Sequence, residues 1–172
     1  KETIKFLNWF SEYNLVPKGM SLKLHLLSGE AIEKFDDKDY DLFLSKDDVK
    51  EFRLSKDQRK ILDELKNQDN KFRVHLLQGT TGSGKTVVYF SHILKILEKN
   101  QQALILLPEI GLTAEFEKKF KEFFGFNAAV WHSGITQKRK KVIWSGLSSG
   151  KIQVVIGARS SLFLPFKNIG LI

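Results

Sequence analysis

The sequence predicts an α/β fold, a parallel sheet covered by helices on both faces. Three observations carry that prediction. The run Gly79-Thr80-Thr81-Gly82-Ser83-Gly84-Lys85-Thr86 fits G-x-x-x-x-G-K-[ST], the loop that wraps a nucleotide triphosphate in P-loop NTPases. Downstream of it, short apolar runs alternate with segments of helical periodicity, the pattern of βα units in a parallel sheet. The turn-like segments 79–86, 108–113, 132–134 and 157–161 follow the expected strands. Open parallel sheets bind ligands at those strand ends.

The residue types in the loop match its chemistry. A backbone that wraps phosphates must bring several N–H groups together, and Gly79, Gly82 and Gly84 carry no Cβ to obstruct it. Lys85 offers a compact positive charge to the β and γ phosphates, and the Thr86 hydroxyl can ligate the accompanying Mg²⁺. Lys85 and Thr86 are therefore the expected catalytic pair, with Thr86 as the metal ligand. Thr80, Thr81 and Ser83 complete the ATP-binding loop. A helix beginning here adds its N-terminal dipole.

Taken in order, residues 3–14 place Ile4, Leu7 and Phe10 beside Phe6, Trp9 and Tyr13 on neighbouring helical faces. That aromatic stripe reads as core packing rather than a base-stacking platform. Pro17 and Gly19 break the helix. Leu22, Leu24 and Leu26 then alternate with Lys23 and His25, which predicts a strand. Residues 28–51 crowd Asp36, Asp37, Asp39, Asp41, Asp47 and Asp48 into a span with few apolar side chains, the signature of a linker or mobile surface segment. Ser55 is a candidate N-cap for a helix carrying Ile61, Leu62 and Leu65. Gln58 lies about 20 residues before the P-loop; it is either a solvated helix residue or a contact to the adenine edge, which its amide suits.

Residues 72–77 read as a buried strand before the loop, and Val87, Phe90, Ile93, Leu94 and Leu97 as the helix after it. Residues 103–107 form a second strand. A helix to about Phe124 follows, with Leu112, Phe116, Phe120 and Phe123 inward. Further strands are expected at 127–131, 152–156 and from Gly170, and Thr136 caps a helix carrying Val142, Ile143 and Leu147. His132 reads as a loop-ordering side chain rather than a catalytic base. The basic run Lys138-Arg139-Lys140-Lys141 is a solvated face or a phosphate-tracking patch.

The totals exclude several classes. With 172 residues the chain suffices for one α/β domain and a small appendage. It has no cysteine, which excludes disulfides and cysteine-ligated zinc or iron–sulfur sites in this sequence and suggests a reducing cytoplasm. No apolar run approaches the ~18 residues of a membrane span, so no membrane partner is expected. The chain begins at Lys1, which suggests an excised piece. The net charge of +8 is uneven: residues 1–55 carry 9 Lys/Arg against 11 Asp/Glu, and residues 56–172 carry 19 against 9. A basic excess on the nucleotide-binding part suits a polyanionic partner, nucleic acid first; the alternative is a surface merely decorated with lysines.

At its loops the chain resembles the primosomal protein N′ family of replication-restart DNA helicases. The matching segments are 79–86, Leu107-Pro108-Glu109-Ile110-Gly111-Leu112-Thr113, His132-Ser133-Gly134, and 156–166 with its Arg159-Ser160-Ser161-Leu162-Phe163 core. The resemblance covers residues 54–172, the first RecA-like lobe. More weakly, residues 1–27 resemble the opening of a winged helix, giving a partial α+β segment, with 28–53 as an acidic linker. The resemblance implies ATP-driven 3′ to 5′ unwinding at stalled forks during primosome assembly. It places Gln58 near the adenine. Pro108, Gly111, Thr113, His132, Ser133, Arg159 and Ser160 would contact the DNA backbone without reading sequence. It also implies other primosome proteins as partners, and a zinc module only in other parts of the full-length protein. The family's acidic D-E-x-H box does not occur before Ile172, so this piece alone is expected to bind ATP without turnover. The remaining alternatives are a stand-alone P-loop module that does not hydrolyse, and another superfamily-two DNA translocase.

Overall fold

A computed structural model describes residues 2–26, 35–43, 53–66, 72–108 and 113–172. Four parallel strands form one sheet: β1 (Gln102–Leu106), β2 (Ala129–Trp131), β3 (Val154–Gly157) and β4 (Ile169–Leu171), in the order β2-β3-β1-β4. β3 pairs with β1 from Ala103 opposite Val154 to Leu106 opposite Gly157, and with β2 from Ala129 opposite Val155 to Trp131 opposite Gly157. The helices α4 (Lys85–Glu98), α5 (Thr113–Phe124) and α6 (Gln137–Ser149) connect and cover the sheet. Expected and observed elements agree here to within a residue or two.

The two-residue period of the strands sorts their side chains between two cores. Ala103, Val154 and Ile156 face α4 and α5, where Phe90, Ile93, Phe120, Phe123, Phe124 and Phe126 pack together. Phe90 meets the rings of Phe120 at 5.7 Å and Phe123 at 5.1 Å, both edge-on. Leu104, Val155 and Ala129 face the opposite side, against Val142, Ile143 and Leu147 of α6.

One buried polar side chain fastens this second layer. Gln102 is 2% exposed, and its amide nitrogen donates to the carbonyls of Leu147 (3.0 Å) and Ile152 (2.7 Å). Its amide oxygen accepts from the backbone N–H groups of Lys167 (2.7 Å) and Asn168 (2.9 Å). A single side chain thus ties the end of α6 and the approaches to β3 and β4 to β1 with every polar atom satisfied.

The N-terminal part departs from expectation. α1 (Glu2–Tyr13) forms as the periodicity predicts, but residues 18–25 form a second helix, α2 (Lys18–His25), where alternation of leucines predicted a strand. Pro17 caps α2 with extended dihedrals, and the Met20 N–H donates to the Pro17 carbonyl at 2.9 Å. The Ser11 and Ser21 hydroxyls meet at 2.6 Å between the two helices. Leu22, Leu24 and Leu26 stay about half exposed, so the alternation has no sheet face to fill. Only part of the aromatic stripe is core. Phe6 and Phe10 pack on Phe163 at 5.6 and 4.9 Å, whereas Trp9 and Tyr13 stack on one another at 5.3 Å in the open.

The hairpin is fixed to the lobe. His25 Nδ1 lies 2.7 Å from the Phe163 carbonyl, and the Trp144 indole N–H donates to the His25 carbonyl at 3.1 Å. Within the acidic span, residues 35–43 likewise differ from the expected mobile segment. A 3₁₀ helix (Asp37–Phe43) packs Tyr40 and Phe43, both nearly fully buried, into the α6 core. The Tyr40 hydroxyl donates to Ser145 at 3.2 Å and Lys151 pairs with Asp37. Asp47 and Asp48 lie outside the described residues.

The strand expected at residues 72–77 is also absent. The segment has no strand partner among the described residues, and Phe72, Val74 and Leu76 are each more than 80% exposed. Composition signalled an apolar run, but a strand exists only where a neighbour accepts its hydrogen bonds.

Two outcomes test this packing. Gln102→Leu removes the side-chain partner of the Ile152 carbonyl and of the Lys167 and Asn168 N–H groups, while the Leu147 carbonyl keeps the Gly150 N–H, and should lower stability by about 3 kcal/mol in urea unfolding. Burial, then the charges of His75 and Lys99, hold the His92 imidazole below its ordinary value of 6.5. The unfolded chain therefore binds more protons as pH falls below 6.5, and stability should drop there. His92→Gln should flatten that slope. The Glu117 carboxyl, raised by burial, acts with opposite sign in a lower window, just above 4.5.

Candidate nucleotide and nucleic-acid site

The loop 79–86 leads directly into α4, whose N-cap is Gly84. Gly82 and Gly84 take φ of +81° and +79°, the left-handed region that side chains with a Cβ rarely adopt. A Cβ on Gly79 would stand 2.7 Å from Ser83 Oγ, and one on Gly84 would collide with Gln58 Nε2. The Lys85 ammonium turns back onto its own loop, donating to the carbonyls of Gly79 and Thr80 at 2.7 Å each. The Ser83 N–H donates to the Thr80 carbonyl at 3.2 Å, closing the turn. Thr80 and Thr81 are exposed. Backbone without Cβ atoms, a lysine folded over the loop and a threonine in the first helical turn fit a nucleotide triphosphate and its Mg²⁺.

Gln58 reaches this loop through α3 (Lys56–Lys66). Ser55 caps the helix as the sequence predicts: its Oγ accepts from the Gln58 N–H at 3.2 Å, and Gln58 Oε1 accepts from the Ser55 N–H at 2.9 Å. This reciprocal box fixes the Gln58 side chain, whose Nε2 lies 3.5 Å from the Gly84 carbonyl. Gln58 is thus neither simply solvated nor isolated; it is held at the rim of the phosphate loop.

The other expected site residues that the structure describes lie at the carboxyl ends of three adjacent strands. Pro108 follows β1 and is exposed; Thr113 opens α5, and Gly111, with Glu109, Ile110 and Leu112, lies outside the described residues. His132 and Ser133 follow β2. Arg159 and Ser160, both exposed, open a 3₁₀ helix (Arg159–Phe163) after β3. Because Leu106 and Trp131 both pair with Gly157, these three loops emerge side by side. Gly157 has no room for a Cβ, which would stand 2.8 Å from the Trp131 carbonyl and from Ser161 Oγ.

His132 orders its loop, as expected: its Nδ1 accepts the Gly134 N–H at 3.1 Å, so a neutral ring carries its proton on Nε2. Burial raises the nearby Glu117 carboxyl above its ordinary value, while Arg139 and His132 pull it down. The basic run on α6 is neither a purely solvated face nor a free patch. Arg139 covers the Phe43 ring at 5.8 Å, Lys140 donates to the Ser133 carbonyl at 3.4 Å, and Lys138 is exposed. The sequence reading missed Tyr89, whose hydroxyl donates to Thr86 Oγ1 at 3.1 Å; the three-residue spacing on one helical face was the available signal.

This sheet with its phosphate loop defines the nucleotide-binding lobe of the P-loop helicase class, and residues 51–169 match the family model described as type III restriction enzyme, res subunit. The chain belongs to that family and to the family of replication restart protein PriA. It is 41% identical over 174 residues, 99% of the chain, to the protein of that name from Rickettsia felis. It is 39% identical over 121 residues to the Bacillus subtilis protein and 44% over 119 residues to that of Helicobacter pylori, each match covering 69% of the chain. The chain spans 26%, 15% and 19% of the lengths of these three relatives. Helicases of this kind use a nucleotide with Mg²⁺. Among the described residues no helix is long and apolar enough to cross a membrane.

Gly84→Ala should lower Mg-ATP affinity by about tenfold or more, since the left-handed conformation alone costs a side chain about 1–2 kcal/mol. Gly19→Ala, with open space around the added methyl, should leave it unchanged. Titration of a fluorescent ATP analogue measures both.

Proposed function

We propose that this chain is the ATP-binding lobe of a superfamily-two DNA helicase that unwinds 3′ to 5′ at stalled forks during replication restart. The observation that carries the reading is the loop 79–86, with its two left-handed glycines and Lys85 folded over the loop carbonyls. The PriA relatives, one of them matched over 99% of the chain, support the replication context.

In this reading Lys85 releases the Gly79 and Thr80 carbonyls for the better acceptors of the β and γ phosphates. The backbone N–H groups around Gly82 to Thr86 hold the phosphates, Thr86 ligates Mg²⁺, and Gln58 reaches the adenine. Bound nucleotide with Mg²⁺ supplies the phosphoryl group and the charge neutralisation its transfer needs. Pro108, Gly111, Thr113, His132, Ser133, Arg159 and Ser160 contact DNA phosphates, with Arg159 and the adjoining 3₁₀ turn as the strongest contributors. In the full-length protein, the acidic box, a second lobe, a zinc module and other primosome proteins complete the activity in the cytoplasm.

The test is calorimetric titration of Mg-ATP into the chain and into Lys85→Ala, with phosphate release followed on forked DNA. Binding that Lys85→Ala weakens at least tenfold, without DNA-stimulated release, is the expected result. Robust release would place the catalytic carboxylates within these 172 residues. Release absent and binding unaffected by Lys85→Ala would refute the phosphate-loop assignment.

A further inference from the structure

We propose that Tyr89 is a positioning residue for the Mg²⁺-ligating hydroxyl of Thr86, held in place by the first turn of α5. The inference rests on the reading of Thr86 as the ligand of nucleotide-bound Mg²⁺. Tyr89 stands three residues after Thr86, on the same face of α4, and its hydroxyl donates to Thr86 Oγ1 at 3.1 Å. A threonine hydroxyl left to itself rotates to suit its surroundings. Accepting the tyrosine proton fixes one lone pair of Oγ1 and leaves the other to a cation.

The donor is itself constrained. Phe116 stacks on the Tyr89 ring with centroids 6.1 Å apart and planes 14° apart. Phe90 meets the same ring edge-on at 5.3 Å and 88°. Phe90 is 1% exposed and belongs to the phenylalanine core between α4, α5 and the sheet. Tyr89 therefore cannot swing without disturbing rings on two helices. Phe116 lies one turn into α5, the helix that Thr113 opens at the carboxyl edge of the sheet. The hydroxyl that would meet Mg²⁺ and the start of α5 are thus joined by one hydrogen bond and one ring stack. A shift of that first turn of α5 would be felt at the metal ligand.

The proposal concerns the metal and not the phosphates, and this sets the experiment. A fluorescent ATP analogue is titrated into the folded chain with excess Mg²⁺ and again with EDTA, for the unsubstituted protein, Tyr89→Phe, Phe116→Leu and Lys85→Ala. Tyr89→Phe keeps the ring and its packing, and far-ultraviolet dichroism checks its fold. It should lose about fivefold in affinity with Mg²⁺, the worth of one hydrogen bond, and nothing in EDTA. Phe116→Leu keeps the hydroxyl but loosens the ring, and should show a smaller loss, again confined to Mg²⁺. Equal losses with and without Mg²⁺ would make Tyr89 a packing residue and overturn the proposal. Unchanged affinity in Tyr89→Phe, or tighter Mg²⁺-dependent binding, would overturn it too. Lys85→Ala separates the two levels: if it binds as well as the unsubstituted chain, the phosphate-loop assignment falls and the role of Tyr89 with it. If it weakens binding while Tyr89→Phe does not, only the role of Tyr89 falls.

Discussion

The pairing of β3 with β1 on one edge and β2 on the other is the constraint on which the rest of the lobe depends. It sets the carboxyl ends of three strands level, because both neighbours reach Gly157. Gly157 accepts the Leu107 N–H at 3.1 Å, and the Trp131 carbonyl accepts the Ala158 N–H at 3.2 Å, so the loops stay tied beyond the strands. The absence of a Cβ at Gly157 permits that closeness. At the other end of the sheet, Gln102 performs the matching task with one buried amide. Between these two points the alternation of side chains divides the core into a phenylalanine-rich layer under α4 and α5 and a mixed aliphatic and aromatic one under α6.

What the sequence made legible is what local chemistry decides. The phosphate loop needs glycines at fixed positions; of its two with positive φ, the motif itself fixes Gly84, and Gly82 occupies one of its variable positions. Ser55, Thr136 and the apolar faces of α4, α5 and α6 follow from capping and period, both local. The failures are non-local. Residues 72–77 have the composition of a strand, but pairing is decided by a partner elsewhere. Residues 22–26 alternate like a strand, yet Pro17 and the Ser11–Ser21 contact close a helical hairpin instead. Tyr40 and Phe43 were hidden by the aspartates around them, although two aromatics suffice to anchor a short segment when Gly146 leaves room for one of them.

The site shows the same division. Gln58 was legible as a residue near the loop, but its two simultaneous tasks, capping α3 and facing Gly84, needed coordinates. The N-terminal hairpin sits against the turn that carries Arg159, through Phe163 and His25. That contact links the segment before the lobe to the loop cluster at the strand ends, a connection that no spacing in the sequence encodes.

The central claim is that the loop between Gly79 and Thr86 wraps nucleotide phosphates with its backbone. Amide hydrogen exchange measured residue by residue, with and without Mg-ADP, tests it most directly. The account predicts that added nucleotide slows exchange chiefly at the N–H groups from Gly82 to Thr86, with Gln58 responding more weakly at the rim. Slowing confined to the sheet or to α6, with the loop amides exchanging as before, would contradict it.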